Sequence, residues 1–185
     1  MSPKRLIFLD RDGVINKFPG FGFYVTSWRA FKFLPGALEA IRLLTKNGFE
    51  INVVSNQGCV ARKLITRKGL ELITRKMLGR IERKGGRIRG IFYCMHQASD
   101  GCECKKPKIT LFKRAIGKRK VDLKSVFFIG DSEEDMIAGK KLGCKTVLVL
   151  SGRLRRRDIL KLSAKPDFVK KDLWSAARWI SQEKS

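Results

Sequence analysis

The sequence predicts an α/β protein with a Rossmann-like, three-layer α/β/α fold around a central parallel sheet. Five short apolar runs recur along the 185 residues, as is typical of strands that are buried on both faces. Amphipathic segments with helical spacing separate these runs, and strands that alternate with helices form right-handed crossovers into a parallel sheet. We expect the whole chain, residues 1–185, to form a single domain.

Each predicted element has a local reason. The strands are the runs rich in aliphatic and β-branched residues: Leu6–Leu9, Ile51–Val54, Ile91–Tyr93, Val126–Ile129 and Thr146–Leu150. Residues 36–47 carry Leu38, Ile41 and Leu44 at helical spacing, and the segment ends before Gly48, a common helix terminator. The other helices are predicted, on the same grounds, at 66–84, 108–119, 133–142 and 173–181.

Residues 13–34 interrupt this alternation directly after the first strand. The segment is rich in glycine and aromatic residues and has no helical pattern. We expect it to form a small flap over the strand ends, where Trp28 is a candidate contact for a substrate. Aromatic packing against the body of the domain is the alternative role for the same side chain.

The chain is strongly basic, with 41 Lys and Arg against 17 Asp and Glu, a net charge of +24. A heavily charged, solvated surface and a surface that attracts anions both fit this composition, so nucleic acid is a possible partner. The N-terminal apolar run stops at Asp10, which is too short for a signal peptide or a membrane span. We therefore expect a cytoplasmic monomer with no membrane partner and no disulfide framework.

The first predicted strand ends in LDRDG, which contains two aspartates. Asp10 and Asp12 lie two residues apart, so in an extended chain they face the same side, roughly 7 Å apart. A carboxylate can act as a covalent nucleophile, and a second one nearby can protonate a leaving oxygen and then activate water. Two solvated loop aspartates are the alternative for this motif taken alone.

Two further segments carry groups that suit a phosphoryl ligand. The second strand runs into Ser55, Asn56 and Gln57, a hydroxyl and two amides that could hold phosphoryl oxygens. Lys106, just before Pro107, supplies a positive charge to offset carboxylates and a phosphate.

The fourth strand runs into GDSEED, which contains two more aspartates. Asp131 and Asp135 are four residues apart, one helical turn on the same face. Together with Asp10 they gather hard oxygen ligands of the kind that Mg²⁺ prefers.

Four soft metal ligands lie within eleven residues, in a loop at residues 94–107. They are Cys94, His96, Cys102 and Cys104, a complete tetrahedral set for structural Zn²⁺ with no open position. Free cysteines in a loop are one alternative. A redox pair is another, although the motif is CxC beside a histidine rather than CxxC before a helix.

In these motifs the sequence resembles the haloacid dehalogenase-like phosphatase superfamily. The four motifs of that superfamily stand here as LDRDG, SNQ, KKP and GDSEED, over about residues 5–150. The resemblance implies that Asp10 attacks phosphorus and that Asp12 is the general acid/base. It also implies the remaining assignments: Ser55 and Lys106 bind the phosphoryl group, and Mg²⁺ is held by Asp10, the backbone carbonyl of Asp12 and Asp131, with Asp135 bracing the site.

The cysteine loop is similar to that of one zinc-containing branch, the D-glycero-D-manno-heptose-1,7-bisphosphate 7-phosphatases and the histidinol-phosphate phosphatases. In that branch the zinc is structural. This sequence departs from that branch at two places that concern substrate contacts. The arginine that precedes Lys-Pro in the branch is replaced by Lys105 here. The residues after SNQ are GCVARK instead of the usual arginine-containing continuation, and Arg62 could replace the arginine of that loop. Asn56, Gln57, Lys105, Arg62 and Trp28 are the candidate substrate-binding residues.

The sequence therefore predicts a Mg²⁺-dependent phosphomonoesterase that acts on a small phosphorylated metabolite, first of all heptose 1,7-bisphosphate at its 7-phosphate. Histidinol phosphate is the nearest alternative substrate. A polynucleotide 3′-phosphatase and a zinc-stapled, non-catalytic nucleic-acid-binding module are two further hypotheses. Both account for the charge, but the last leaves the carboxylates at the strand ends without a role.

Overall fold

The computed structural model describes residues 5–183 and has a parallel sheet of six strands at its centre. The strand order is β3-β2-β1-β4-β5-β6, so the chain moves to one side of β1 first and to the other side from β4 onwards. This reversal opens a crevice beyond the carboxyl ends of β1 and β4. The strands are β1 (Leu6–Leu9), β2 (Glu50–Asn56), β3 (Gly90–Cys94), β4 (Phe127–Gly130), β5 (Lys145–Val149) and β6 (Phe168–Lys170).

Helices cover both faces of the sheet, and β1 shows why. Its side chains are all buried but alternate in direction, so Ile7 and Leu9 join one apolar cluster while Leu6 and Phe8 join another. The first cluster includes α1, α2 and α5, and the second includes α3 and α4. The predicted three-layer α/β/α fold is confirmed. The helices are α1 (Ala37–Lys46), α2 (Arg67–Arg83), α3 (Thr110–Ile116), α4 (Glu133–Leu142) and α5 (Leu173–Gln182).

All five predicted strands and all five predicted helices are present; β1 and α4 have the predicted ends, and each of the others is shifted by one to three residues at one or both ends. The helix predicted at 108–119 is the most shortened, because Gly117 takes a φ of 64° and ends α3. Three short 3₁₀ segments, at Ala98–Asp100, Leu123–Ser125 and Arg156–Lys161, were outside the prediction. Within residues 5–183, no helix has both the length and the apolar character that crossing a bilayer requires.

The sixth strand was also missed, because side-chain hydrogen bonds hold it in place where an apolar pattern is lacking. Asp167, just before β6, accepts hydrogen bonds from the backbone N and the Oγ1 of Thr146 in β5, both at 2.8 Å. It also pairs with Lys140 of α4. Burial alone would raise the pKa of Asp167, but the hydrogen bonds from Lys140 and Thr146 lower it below its usual value.

Residues 13–34 form loops and turns above the carboxyl ends of the strands. Isolated bridges from Asn16 to Asp12 and to Phe33 close the base of the segment, which we call the flap. On one side the ring of Tyr24 lies 6.0 Å from Cζ of Arg62, and on another the ring of Phe18 lies 5.1 Å from Cζ of Arg153. The flap thus spans from the loop after β2 to the loop after β5.

Candidate active site

The carboxyl ends of the central strands bring the predicted acidic residues together. Leu9 of β1 is in register with Val53 of β2 and Ile129 of β4, and the backbone N of Asp10 donates to the carbonyl of Ile129 at 2.9 Å. Asp10 and Asp131 therefore leave neighbouring strands at the same level. Ligand atoms of Asp10, Asp131 and Asp135 lie within 4.8 Å of one another, and all three side chains are buried.

Lys106 places a buried positive charge among these carboxylates. Its side chain is 3% exposed, and Nζ lies 2.9 Å from Oδ1 of Asp10 and 2.6 Å from Oδ1 of Asp135. Nζ also donates to the carbonyl of Val54 at 3.0 Å. Burial acts to lower the pKa of Lys106, but the charges of Asp10 and Asp135 outweigh it and raise the pKa. Lys106 is therefore a permanent cation.

The main chain of Lys106 is held by the side chain of Asn56. The amide of Asn56 accepts from the backbone N of Lys106 at 3.0 Å and donates to its carbonyl at 3.2 Å. Both polar atoms of this amide are thus used within the protein. This geometry favours a positioning role for Asn56 over the direct substrate contact that the sequence predicts.

One lysine does not neutralise all of the negative charge in the cluster. Burial raises the pKa of Asp10, the charges of Asp135 and Asp12 add to the effect, and Lys106 opposes it. The pKa of Asp131 is raised further, first by burial and then by the charges of Asp10 and Asp135. Moreover, Oδ1 of Asp131 is buried and has no hydrogen-bond partner among residues 5–183. An oxygen-rich site with surplus negative charge and an unpaired buried oxygen suits a divalent cation.

Two glycines fit closely around Asp131. A Cβ atom at Gly13 would lie 2.0 Å from Oδ2 of Asp131, and a Cβ atom at Gly152 would lie 1.9 Å from it. Gly13 also has a φ of 90°, which favours glycine. Any side chain at these positions would displace the carboxylate of Asp131.

Asp135 is committed to hydrogen bonds inside the protein. Its Oδ2 accepts from the backbone N of Asp131 at 3.1 Å and from the N and Oγ of Ser132 at 3.2 and 2.7 Å. Its Oδ1 pairs with Lys106. With both oxygens engaged, Asp135 is placed to fix the first turn of α4 and Lys106, in line with the bracing role that the resemblance implies.

Asp12 is held in its charged form by three donors. Arg11 donates from Nη2 to both carboxylate oxygens at 3.0 Å, Asn16 donates to Oδ1 at 2.7 Å, and Gln57 donates to Oδ2 at 2.8 Å. Burial alone would raise the pKa of Asp12, but the charge of Arg11 and these hydrogen bonds lower it. Gln57 also donates to Oγ of Ser55 at 3.1 Å, so the second motif is tied to the first.

Arg11 and Asn16 are site residues that the sequence analysis missed. Arg11 is 0% exposed, and its Cζ lies 5.9 Å from the ring of Phe31 and 5.7 Å from the ring of Tyr93. The faces of these two rings and the carboxylate of Asp12 stabilise the buried guanidinium. The available signal was the position of the arginine between two aspartates in LDRDG.

The four predicted zinc ligands converge in the loop after β3. Sγ of Cys104 lies 3.2 Å from Sγ of Cys94 and 3.2 Å from Nδ1 of His96, and Sγ of Cys102 lies 3.6 Å from Cys94 and 3.8 Å from Cys104. Ligands about 2.3 Å from a tetrahedral Zn²⁺ lie about 3.8 Å apart, so this spacing fits the ion. Burial acts against ionisation of Cys102, but backbone N–H groups and neighbouring thiols lower its pKa to about 7.

The remaining candidate substrate contacts lie around the carboxylates. Arg62 is exposed and faces Tyr24 of the flap, and Lys105 is half-buried. Trp28 is half-buried and stacks on Phe31, with ring centroids 5.2 Å apart. Among residues 5–183, no hydrogen bond or ion pair joins these three side chains to the carboxylate cluster, and their part in substrate binding stays a prediction.

Comparison with known proteins identifies relatives of the chain. A family model described as HAD-hydrolase-like matches residues 103–176. D-glycero-beta-D-manno-heptose-1,7-bisphosphate 7-phosphatase of Pseudomonas putida is 33% identical over 152 residues, which is 82% of this chain and 86% of that protein. The enzyme of the same name from Neisseria meningitidis serogroup A is 35% identical over 150 residues, 80% of this chain and 79% of that protein.

Solved structures agree with these sequence relatives. The D,D-heptose 1,7-bisphosphate phosphatase of B. bronchiseptica, crystallised with magnesium and phosphate, has a TM-score of 0.89 and 35% identity. That comparison covers 97% of this chain and 99% of the other. The corresponding protein of Burkholderia thailandensis has a TM-score of 0.71 and 30% identity, over 97% of this chain and 100% of the other.

Proposed function

The chain belongs to the haloacid dehalogenase-like family of D-glycero-beta-D-manno-heptose-1,7-bisphosphate 7-phosphatases, and on that premise we propose that it removes the 7-phosphate of this sugar bisphosphate. The observation that carries the proposal is the cluster of Asp10, Lys106 and Asp131 at neighbouring strand ends. It combines a nucleophile, a fixed cation and metal ligands in one buried site. We propose that the reaction is a two-step phosphomonoester hydrolysis through an aspartyl-phosphate.

The residues present fit a catalytic Mg²⁺. The carboxylates of Asp10 and Asp131 and the backbone carbonyl of Asp12 would hold it, and the unpaired Oδ1 of Asp131 is the oxygen that most needs such a partner. When bound, the ion neutralises negative charge on the phosphoryl oxygens and on these carboxylates. Asp135 stays outside this ligand set, because its oxygens are already engaged.

In the first step Asp10 attacks phosphorus. A new bond forms between a carboxylate oxygen of Asp10 and phosphorus, and the bond from phosphorus to the sugar oxygen breaks. Lys106 offsets the charge of the phosphoryl oxygens, and the hydroxyl of Ser55 donates a hydrogen bond to one of them. Asp12 donates a proton to the departing sugar oxygen. It is ionised before substrate binds, and the negative charge of an incoming phosphate raises its pKa and favours the protonated form.

In the second step the same residue acts as a base. Asp12, now a carboxylate again, accepts a proton from water, and the water oxygen attacks phosphorus as its bond to Asp10 breaks. Inorganic phosphate leaves and Asp10 returns to its first state. Arg11, Asn16 and Gln57 suit this step, because they stabilise and orient the charged form of Asp12. These three residues position the base without needing to touch the substrate.

The cysteine loop fits a structural Zn²⁺ that supports the same site. Cys94, His96, Cys102 and Cys104 would supply all four ligands of a tetrahedral ion and would leave no position for water or substrate. Cys104 is two residues before Lys106, and Cys94 packs in the apolar cluster below the sheet. We propose that the ion fixes the path of the chain that carries Lys105 and Lys106 to the site.

The experiment that tests the proposal compares kcat/KM for three phosphoesters in Mg²⁺. They are D-glycero-beta-D-manno-heptose 1,7-bisphosphate, histidinol phosphate and an oligonucleotide with a 3′-phosphate. We expect the first to exceed the others by at least about 100-fold, a difference of about 2.7 kcal/mol in transition-state binding. A preference for histidinol phosphate would contradict the proposed substrate, and release of phosphate from the oligonucleotide alone would replace the proposal with a repair activity.

A further inference from the structure

A sugar bisphosphate brings a second phosphate that the reaction leaves in place, and that dianion needs a cationic partner. Both buried cations that residues 5–183 place at the site are already engaged. Lys106 pairs with Asp10 and Asp135, and Arg11 pairs with Asp12. A further cation must therefore lie at the mouth of the site.

Arg153 has the required position. Its backbone N donates to Oδ2 of Asp131 at 2.8 Å, which fixes it at the edge of the proposed metal site. The loop that carries it is also tied to the loop after β1, because Oγ of Ser151 donates to the carbonyl of Gly13 at 2.7 Å. The close fit of Gly152 against Asp131 leaves this loop little freedom.

The guanidinium of Arg153 has an N–H donor that lacks an acceptor among residues 5–183. Its Nε is buried and meets no hydrogen-bond acceptor within the described part of the chain. Glu134, its one ion-pair partner there, lies 3.9 Å away and is 47% exposed, which makes a weak pair. A guanidinium stays protonated in proteins, so this side chain carries a full positive charge.

Phe18 of the flap orients this guanidinium. The ring centroid of Phe18 lies 5.1 Å from Cζ, within the range of a cation–π contact. The arginine thus connects the flap to the metal-binding loop, and its planar group is partly open to solvent. Arg62 faces Tyr24 in a similar way, but it is exposed and lacks the buried, unpartnered Nε that points to a missing ligand.

We propose that Arg153, held by Phe18, forms the subsite for the second, non-reacting phosphate of the substrate. The inference rests on the proposed bisphosphatase function. A guanidinium offers a planar fork of N–H donors that matches two phosphate oxygens, whereas a lysine offers a point charge. Occupation of the subsite by phosphate would supply the acceptors that Arg153 lacks and would hold the flap closed over the sugar through Phe18.

The test compares two substrates that differ only in the second phosphate: the heptose 1,7-bisphosphate and the heptose 7-phosphate. For Arg153→Gln we expect KM for the bisphosphate to rise about 10- to 100-fold with kcat little changed, the range for a lost charged hydrogen bond. KM for the 7-phosphate and inhibition by inorganic phosphate should stay as in the wild type. Arg153→Lys and Phe18→Leu should give intermediate increases that are again confined to the bisphosphate.

Arg156→Gln is the matched control, because Arg156 is exposed in the 3₁₀ segment Arg156–Lys161 and its loss changes the net charge equally. A similar KM increase in this control would assign the effect to general charge and overturn the inference. Equal losses on both substrates in Arg153→Gln, or none on either, would also overturn it. Wild-type enzyme that hydrolyses neither heptose phosphate would overturn the proposed function together with the inference.

Discussion

Replacement of Lys106 by Met removes the one buried cation that contacts Asp10 within residues 5–183. In the wild-type protein Nζ makes ion pairs of 2.9 and 2.6 Å with two buried carboxylates and a 3.0 Å hydrogen bond to the carbonyl of Val54. Without it, Asp10 and Asp135 remain buried and keep no ion-pair partner in the described part of the chain. Breaking a buried pair in this way costs about 3–5 kcal/mol. We expect Lys106→Met to lower the free energy of unfolding by that amount and kcat by about 10²- to 10³-fold.

Urea denaturation in Mg²⁺-free buffer measures the stability change. Lys108→Met is the control, because Lys108 lies two residues away, is exposed, and pairs with Glu103 at 2.8 Å where solvent screens the charges. It should leave the free energy of unfolding close to that of the wild type. Saturating Mg²⁺ should restore part of the stability of Lys106→Met, since the cation replaces a missing positive charge. A loss below about 1 kcal/mol, or one equal to that of the control, would refute the electrostatic account of the site.

Three further predictions concern the zinc loop, the backbone around Asp131 and the dependence on pH. Cys104→Ser should abolish stoichiometric zinc binding, as measured by metal analysis, and should raise KM by a larger factor than it lowers kcat. An unchanged KM would contradict the coupling of the zinc loop to Lys106. Gly13→Ala should displace Asp131 and lower kcat about 100-fold, whereas Gly101→Ala, with positive φ but no atom near its Cβ position, should leave kcat unchanged. Asp167→Asn should cost about 1 kcal/mol of unfolding free energy at pH 7. The folded state lowers the pKa of Asp167 below its ordinary value of 3.8, so this difference should begin to shrink near that pH and be lost only as pH falls through the lower pKa of the folded state. A difference independent of pH would refute the assignment.

The elements that position the site were predictable because their signals are local. Buried parallel strands appear as continuous apolar runs, and residues that follow such runs meet at one edge of the sheet. The same reasoning predicts that Asp10, Ser55 and Asp131 lie close together. The zinc ligands were equally accessible, since all four lie in a single loop of the sequence.

What the sequence left open depends on contacts between distant residues. The burial of Arg11 follows from two aromatic rings, Phe31 and Tyr93, that lie 20 and 82 positions further along the chain. The role of Asn56 depends on the contact of its amide with the backbone of Lys106, a pairing across 50 residues. Arg153 stands in a basic run that resembles many others, and only its contacts with Asp131 and Phe18 distinguish it.

The most direct test of the proposed mechanism is to trap the covalent intermediate. Wild-type protein is mixed with the heptose 1,7-bisphosphate and Mg²⁺, quenched in acid, digested and analysed by mass spectrometry. The mechanism predicts a phosphoryl group on Asp10, none in Asp10→Asn, and phosphate release by that variant lowered at least about 10³-fold. A phosphoryl group on another residue, or hydrolysis by Asp10→Asn at the wild-type rate, would contradict the central claim that Asp10 is the nucleophile.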